Sequence, residues 1–77
     1  MVENLIRVTE MMGENRWCIN RAKDKTIFEK DGQEYYIYWV KEYRVKLINI
    51  ETDVETEWIP VNDFQKQYRE TDYCISA

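Results

Sequence analysis

An Asp-Gly pair at positions 31 and 32 separates two arms of strand-forming residues, Thr26-Ile27-Phe28-Glu29 before it and Tyr35-Tyr36-Ile37-Tyr38-Trp39-Val40 after it. A two-residue hairpin loop of type I′ needs φ > 0 at both central residues, and its twist matches that of the strands it joins. Gly adopts that conformation freely and Asp tolerates it, so the pair sets a register: Lys30 faces Gln33, Phe28 faces Tyr35, and Ile27 faces Tyr36. The second arm is apolar or aromatic at every position from Tyr35 to Val40, which predicts a central strand covered on both faces. Residues 25–50 are the part around which the rest of the chain must be arranged.

Upstream, Val2 to Met12 alternate as a strand would, although Leu5, Val8 and Met12 also fall on one helical stripe ending at Gly13; the strand is the preferred reading. Gly13-Glu14-Asn15 has turn chemistry. Arg16 to Arg21 then reads as a second strand, with Trp17 and Ile19 on one face and Cys18 and Asn20 on the other, making a first hairpin. Residues 21–25 read as a charged, solvated connection.

Downstream, Val40 to Tyr43 is a short reversal. In Arg44 to Ile50, Val45 and Leu47 share a face with Tyr43 while Arg44 and Lys46 point away, until Ile48 and Ile50 make that second face apolar too. Such a switch predicts a bulge or passage from an edge into cover. Thr52-Asp53 turns the chain, and Glu55 to Ile59 returns as the last strand, ended by Pro60, which cannot donate to a ladder. Asn62 and Gln65 form an Asn-x-x-Gln version of the capping box for a helix over Asp63–Glu70, whose narrow apolar stripe is Phe64 and Tyr68. Thr71 to Ala77 is either a frayed tail or an edge strand. The fold expected is a single α+β domain over residues 1–77: a mainly antiparallel β-sheet of five or six strands with one short C-terminal helix.

A chain of 77 residues buries only about 60% of the surface that its unfolded form exposes, so large aromatic side chains must supply much of the core. Three Trp, six Tyr and two Phe are enough to do so without metal or disulfides. With two cysteines, no signal-like apolar run and no stretch near 18 apolar residues, the chain reads as a reduced cytoplasmic protein without a membrane segment, and a Cys18–Cys74 bridge is not expected. It contains no histidine, so the commonest general base and zinc ligand are missing. The one serine, Ser76, is in the tail, and the two glycines lie in turns, where they cannot cradle a phosphate. The chain therefore reads as not an enzyme, with no cofactor and no metal.

Charge is distributed unevenly. Residues 16–50 carry eight Lys/Arg against five acids, whereas residues 51–77 carry two against seven. A net charge of −4 makes nucleic acid a poor general partner, since phosphate binding rests on clustered Lys and Arg. Two candidate contact surfaces follow. The first is an acidic hairpin, Glu51, Asp53, Glu55 and Glu57, which is either a solvated edge or a contact for a basic groove; its spacing does not match an EF-hand loop. The second is the aromatic run with its basic neighbours, from which Tyr36, Tyr38 and Arg44 are the candidate binding residues. Its plain reading puts Tyr35, Ile37 and Trp39 in the core and Tyr36 and Tyr38 over the back of the sheet. As a platform it could stack bases beside Lys41, Arg44 and Lys46, or serve as a protein hot spot.

Residues 57–68, Glu-Trp-Ile-Pro-Val-Asn-Asp-Phe-Gln-Lys-Gln-Tyr, run from an aromatic strand through a proline to Phe-x-x-x-Tyr on a short helix. This ending resembles that of small phage- and prophage-encoded accessory proteins, among them the family named for a Pro-Gly-Asp-Tyr-Gly motif, although the namesake motif is not in this sequence. The resemblance implies a compact sheet with a C-terminal helix and a phage setting, in which small acidic proteins often bind and block a host or anti-phage defence protein. The function expected is thus a non-catalytic, phage-type inhibitor acting by protein–protein interaction on a host or defence protein with a basic surface. The alternative is a nucleotide or single-stranded nucleic-acid binding module, such as a sponge for a signalling nucleotide, using the aromatic and basic sheet face. An uncovered edge strand could also pair with its mate in a homodimer.

Overall fold

The computed structural model describes residues 12–75, with side-chain surroundings from Asn15 onward. The elements are α1 (Met12–Asp24), β1 (Thr26–Lys30), β2 (Gln33–Lys41), β3 (Arg44–Asn49), β4 (Ile59–Pro60), α2 (Val61–Gln67) and β5 (Arg69–Cys74). The strands form one antiparallel sheet in the order β4-β3-β2-β1-β5. The expected α+β fold thus holds in coarse form: the described residues form five strands, but two helices rather than one.

The Asp31-Gly32 hairpin has the register that the sequence predicts, with Ile27 opposite Tyr36, Phe28 opposite Tyr35 and Lys30 opposite Gln33. Both turn residues are left-handed, at φ 54° and 79°. The next reversal uses Glu42 and Tyr43, also both left-handed (φ 42° and 66°), without a glycine. Two bonds hold Tyr43 there: its N–H donates to Asn15 Oδ1 (3.0 Å), and its carbonyl accepts the N–H of Val61 (2.8 Å).

The expected strand over Arg16–Arg21 is instead part of α1. Ile19 is the only β-branched side chain in this helix, and Arg21 and Lys23 stand in its last turn, where the helix dipole favours cations. Asn15, Cys18 and Ala22, at helical spacing, turn inward, and Cys18 is fully buried. The two-residue alternation was too short to distinguish the periods. Lys25, left-handed at φ 54°, ends the helix where glycine is usual, and its N–H bonds Ala22 O. The preceding expected strand lies outside the described residues, apart from Met12.

Helix α2 also differs from its expected form. It starts at Val61, not Asp63, and Pro60 is the capping residue without a side-chain bond, so Asn62 lies inside the helix. The Tyr43 carbonyl takes the first-turn N–H of Val61 and so anchors a helix that starts two residues before the expected one. The helix carries the chain from β4 at one edge to β5 at the other, and it ends at Tyr68, whose backbone is extended. Both helices lie on one face of the sheet. There Phe28 and Phe64 meet at 4.7 Å between ring centroids, Trp17 stands 6.0–6.2 Å from both, and Tyr68 bridges Phe64 (5.3 Å) and Tyr35 (5.2 Å). Ile37, Val45, Leu47 and Val61 complete this core. Cys18 belongs to it and Cys74 is exposed on β5, and the two are not bridged.

Candidate interaction surface

The register of β2 against β3 slips between Ile37 and Trp39: Ile37 faces Leu47, but Trp39 faces Lys46 and Val40 faces Val45. The extra residue is Tyr38. A bulge of this kind resets the alternation of the strand, so Ile37 and Val40 both face the core and Tyr38 and Trp39 both turn to the opposite face. This overturns the expectations of a β2 covered on both sides and of Trp39 as core, since Tyr38 is 49% and Trp39 55% exposed. The bulge expected in β3 is on its neighbour.

Among the described residues, neither helix lies on this second face. Its rows can be read along β2. At the Asp31-Gly32 end stand Glu29 and Glu34, a cross-strand pair, with Ile50 bonding its N–H to Glu34 O. With Gly32, Gln33 and Glu51 they line a shallow hollow of about 240 Å³. Arg69 of β5 pairs with Glu29 at 2.9 Å. The next row is Ile27, half-buried Tyr36 and buried Ile48, with Lys25 5.8 Å from the Tyr36 ring. Beyond it come Tyr38 and Trp39, their rings 6.2 Å apart, and then Lys46, followed by the Lys41–Arg44 pair.

Trp58 joins this end from the segment before β4. Arg44 and Lys46 stand 5.9 and 5.3 Å from its ring centroid, close enough for cation–π attraction. Trp39 and Trp58 were missed as surface residues in the sequence. The signal for Trp58 was the outward phase of Arg44 and Lys46; for Trp39 there was none without the bulge.

The acidic segment is a loop rather than a regular hairpin. It is organised by Asn49, whose buried side chain accepts the N–H groups of Glu51 (2.9 Å) and Thr52 (3.0 Å) and donates to Gln33 Oε1. The turn at Thr52-Asp53 is present, with Asp53 at φ 62° and its N–H on Asn49 O. The strand expected over Glu55–Ile59 shrinks to a single bridge between Glu55 and Ile48 and to the two residues of β4. Thr56 explains this: its hydroxyl accepts the Leu47 N–H and its own N–H donates to Leu47 O, so one residue takes both ladder positions. Glu51, Asp53, Glu55 and Glu57 are all exposed. Among the described residues, Glu55 alone of the four meets a cation, Lys46 at 3.5 Å. The structure therefore gathers Tyr36, Tyr38 and Arg44 on one face and sets the four acids along its β3 border. No group of three or more Asp, Glu or Cys among the described residues is placed to hold a metal ion.

The sheet edges offer less. β5 carries two extra residues between its pairings with Phe28 and Thr26, and Thr71 Oγ1 fills the gap by donating to Ile27 O and accepting the Tyr73 N–H. β4 is two residues long and ends in proline. A bulged edge and a proline-stopped edge are both poor templates for another strand, which removes the basis for edge-to-edge pairing. No helix among the described residues is long and apolar enough to cross a membrane. Comparison with known proteins returns no matching family model, curated protein or solved structure, so the phage-protein resemblance of residues 57–68 rests on those residues alone.

Proposed function

We propose that this chain is a non-catalytic protein-binding module whose contact surface is the helix-free face of the sheet. Tyr38, Trp39, Trp58 and Arg44 are its anchors, with Tyr36 beneath them and Glu51, Asp53, Glu55 and Glu57 as a charged border. Trp39 carries the reading. A domain this small has few large rings to spare from its core, yet the β2 bulge turns one outward beside a tyrosine and an arginine, and Trp, Tyr and Arg are the residues that dominate binding hot spots. Taken with the phage-type ending, the target is a host or defence protein with a basic surface that faces the acidic border, and the effect of binding is inhibition in the cytoplasm.

Tagged chain incubated with bacterial lysate should capture such a protein. Trp39→Ala should release it while leaving the fold intact, and neutralising the four acids to Gln or Asn should slow its association. Capture that survives both changes would sink the reading. A second reading, a platform for a nucleotide or single strand, is favoured by the rings of Tyr38 and Trp39 standing beside Lys41, Arg44 and Lys46. Against it, Glu29, Glu34 and Glu51 repel phosphate along the same face. Fluorescence anisotropy with a labelled oligonucleotide separates the two.

A further inference from the structure

The helix-free face is polar in the electrical sense. Glu34 and Glu51 mark one end, beside the Glu29–Arg69 ion pair, and Lys41 and Arg44 the other, beside the Lys46–Glu55 pair, with Tyr36 and Ile48 in one middle row and Tyr38 and Trp39 in the next. We propose that this face is self-complementary and closes on a second copy of the chain. The inference rests on reading the face as a protein-binding surface, and it names the first partner.

Two sheets that pack face to face lie ~10 Å apart with their strands aligned to within about 30°. An in-plane two-fold axis perpendicular to β2 reverses strand direction between the copies. The row of Glu34 then lies over the Lys41–Arg44 row of the mate, and the Tyr36–Ile48 row lies over Tyr38 and Trp39. Every contact occurs twice, as an isologous interface requires. An axis along β2 would instead oppose like charges, so one arrangement is selected. A nucleic acid strand satisfies only the basic half, whereas a second copy satisfies both.

Size sets the strength. Four strands spaced ~4.8 Å and the eight residues from Glu34 to Lys41 at ~3.4 Å each give a flat area on the order of 450 Å². Even roughened by its rings, this belongs with small, reversible interfaces, and the dissociation constant should be micromolar. Target and second copy then compete for one face.

The test is sedimentation equilibrium of the full chain from about 1 to 500 µM at low salt, a range that brackets a micromolar constant. The mass should rise from one chain to two, and less so at high salt, where the charges are screened. Glu34→Lys with Glu51→Lys reverses the unpaired charges of the acidic end; Lys41→Glu with Arg44→Glu does the same at the basic end. Each double variant alone should associate at least about tenfold more weakly, since like charges then meet, and an equimolar mixture should recover a heterodimer. Lys66→Glu, on α2, should change nothing. A wild-type chain monomeric at every concentration overturns the proposal, as does a reversed variant that dimerises like wild type, or an oligonucleotide bound through Trp39 by the monomer. A monomeric chain whose Trp39→Ala variant still loses its captured target would overturn self-pairing alone and leave the proposed function standing.

Discussion

Phe64 and Trp39 are both large aromatics, and the structure assigns them opposite consequences on truncation. Phe64 is fully buried, with ring centroids of Phe28, Tyr68 and Trp17 at 4.7, 5.3 and 6.2 Å. Phe64→Ala leaves a cavity among them and should cost ~3–5 kcal/mol. At roughly 0.05–0.15 kcal/mol per residue, the whole domain has on the order of 4–12 kcal/mol to lose. Trp39 is 55% exposed, so less than half of the ~1.5–3 kcal/mol of full burial is at stake, about 1 kcal/mol. Urea denaturation followed by far-UV circular dichroism reads both, and avoids the change in fluorescence that losing a tryptophan brings. With a slope of ~1 kcal/mol per molar, Trp39→Ala should move the midpoint by about 1 M, whereas Phe64→Ala should move it by about 3–5 M, enough to unfold the chain in water where its stability is at the low end of that range. Phe64→Leu, which keeps most of the volume, should remain folded and lose only about 1 kcal/mol. A Trp39→Ala variant that unfolds while Phe64→Ala holds would refute the placement of the β2 bulge, and with it the surface on which the proposed function depends.

The two left-handed hairpin turns should both favour glycine over alanine. Gly32→Ala meets no atom within 4 Å, so its cost of ~1 kcal/mol comes from backbone alone; at position 43, where both variants lose the same ring and keep both backbone bonds, the φ of 66° favours glycine, so Tyr43→Gly should melt higher than Tyr43→Ala. Asn49→Ala removes the acceptor for two loop N–H groups and should cost ~2 kcal/mol and increase amide exchange at Glu51 and Thr52. Burial, and then the neighbouring Tyr35 and Asp31, raise the Tyr68 pKa above 10.0. Its neutral form is thus the one favoured by folding, so the contribution is complete below pH ~10 and is lost as pH rises through the folded value. Melting temperature measured from pH 8 to 11 should fall on the alkaline side less steeply for Tyr68→Phe than for wild type.

Local turn chemistry was the legible part of this fold. Asp31-Gly32 specified a register to the residue because few residue pairs tolerate two positive φ angles, and the Thr52-Asp53 reversal was readable for a similar reason. Residues 16–21 were not, because what makes them helical is tertiary. Asn15 is polar in sequence but is held inward by the Tyr43 N–H, and Trp17, which alternation paired with Ile19, packs instead on Phe28 and Phe64. The Asn62 cap failed for the same kind of reason: a bond from a distant turn anchors the helix at Val61, which places Asn62 inside the first turn instead of ahead of it.

The site was half legible, and the missing half depends on one residue of phase. Tyr36, Tyr38 and Arg44 could be set on one face by alternation counted from either end, whereas Trp39 changes sides when Tyr38 is inserted without a partner. A slip of this kind exchanges core and surface for every residue beyond it, and here Val40 replaces Trp39 against Val45. Val40 is only partly buried there, opposite fully buried Val45, which is flanked on its other side by Ile59. The same bulge therefore keeps Val40 on the inner face and sets Trp39 beside Tyr38 on the outer one. Deleting Tyr38 should leave a regular ladder in which Trp39, now next to Ile37 in the chain, still faces Lys46 and Val40 still faces Val45, so the core is kept and the face loses only its tyrosine ring. A deletion variant that unfolds, or that loses its target as completely as Trp39→Ala, would show that Tyr38 is not the extra residue of the bulge.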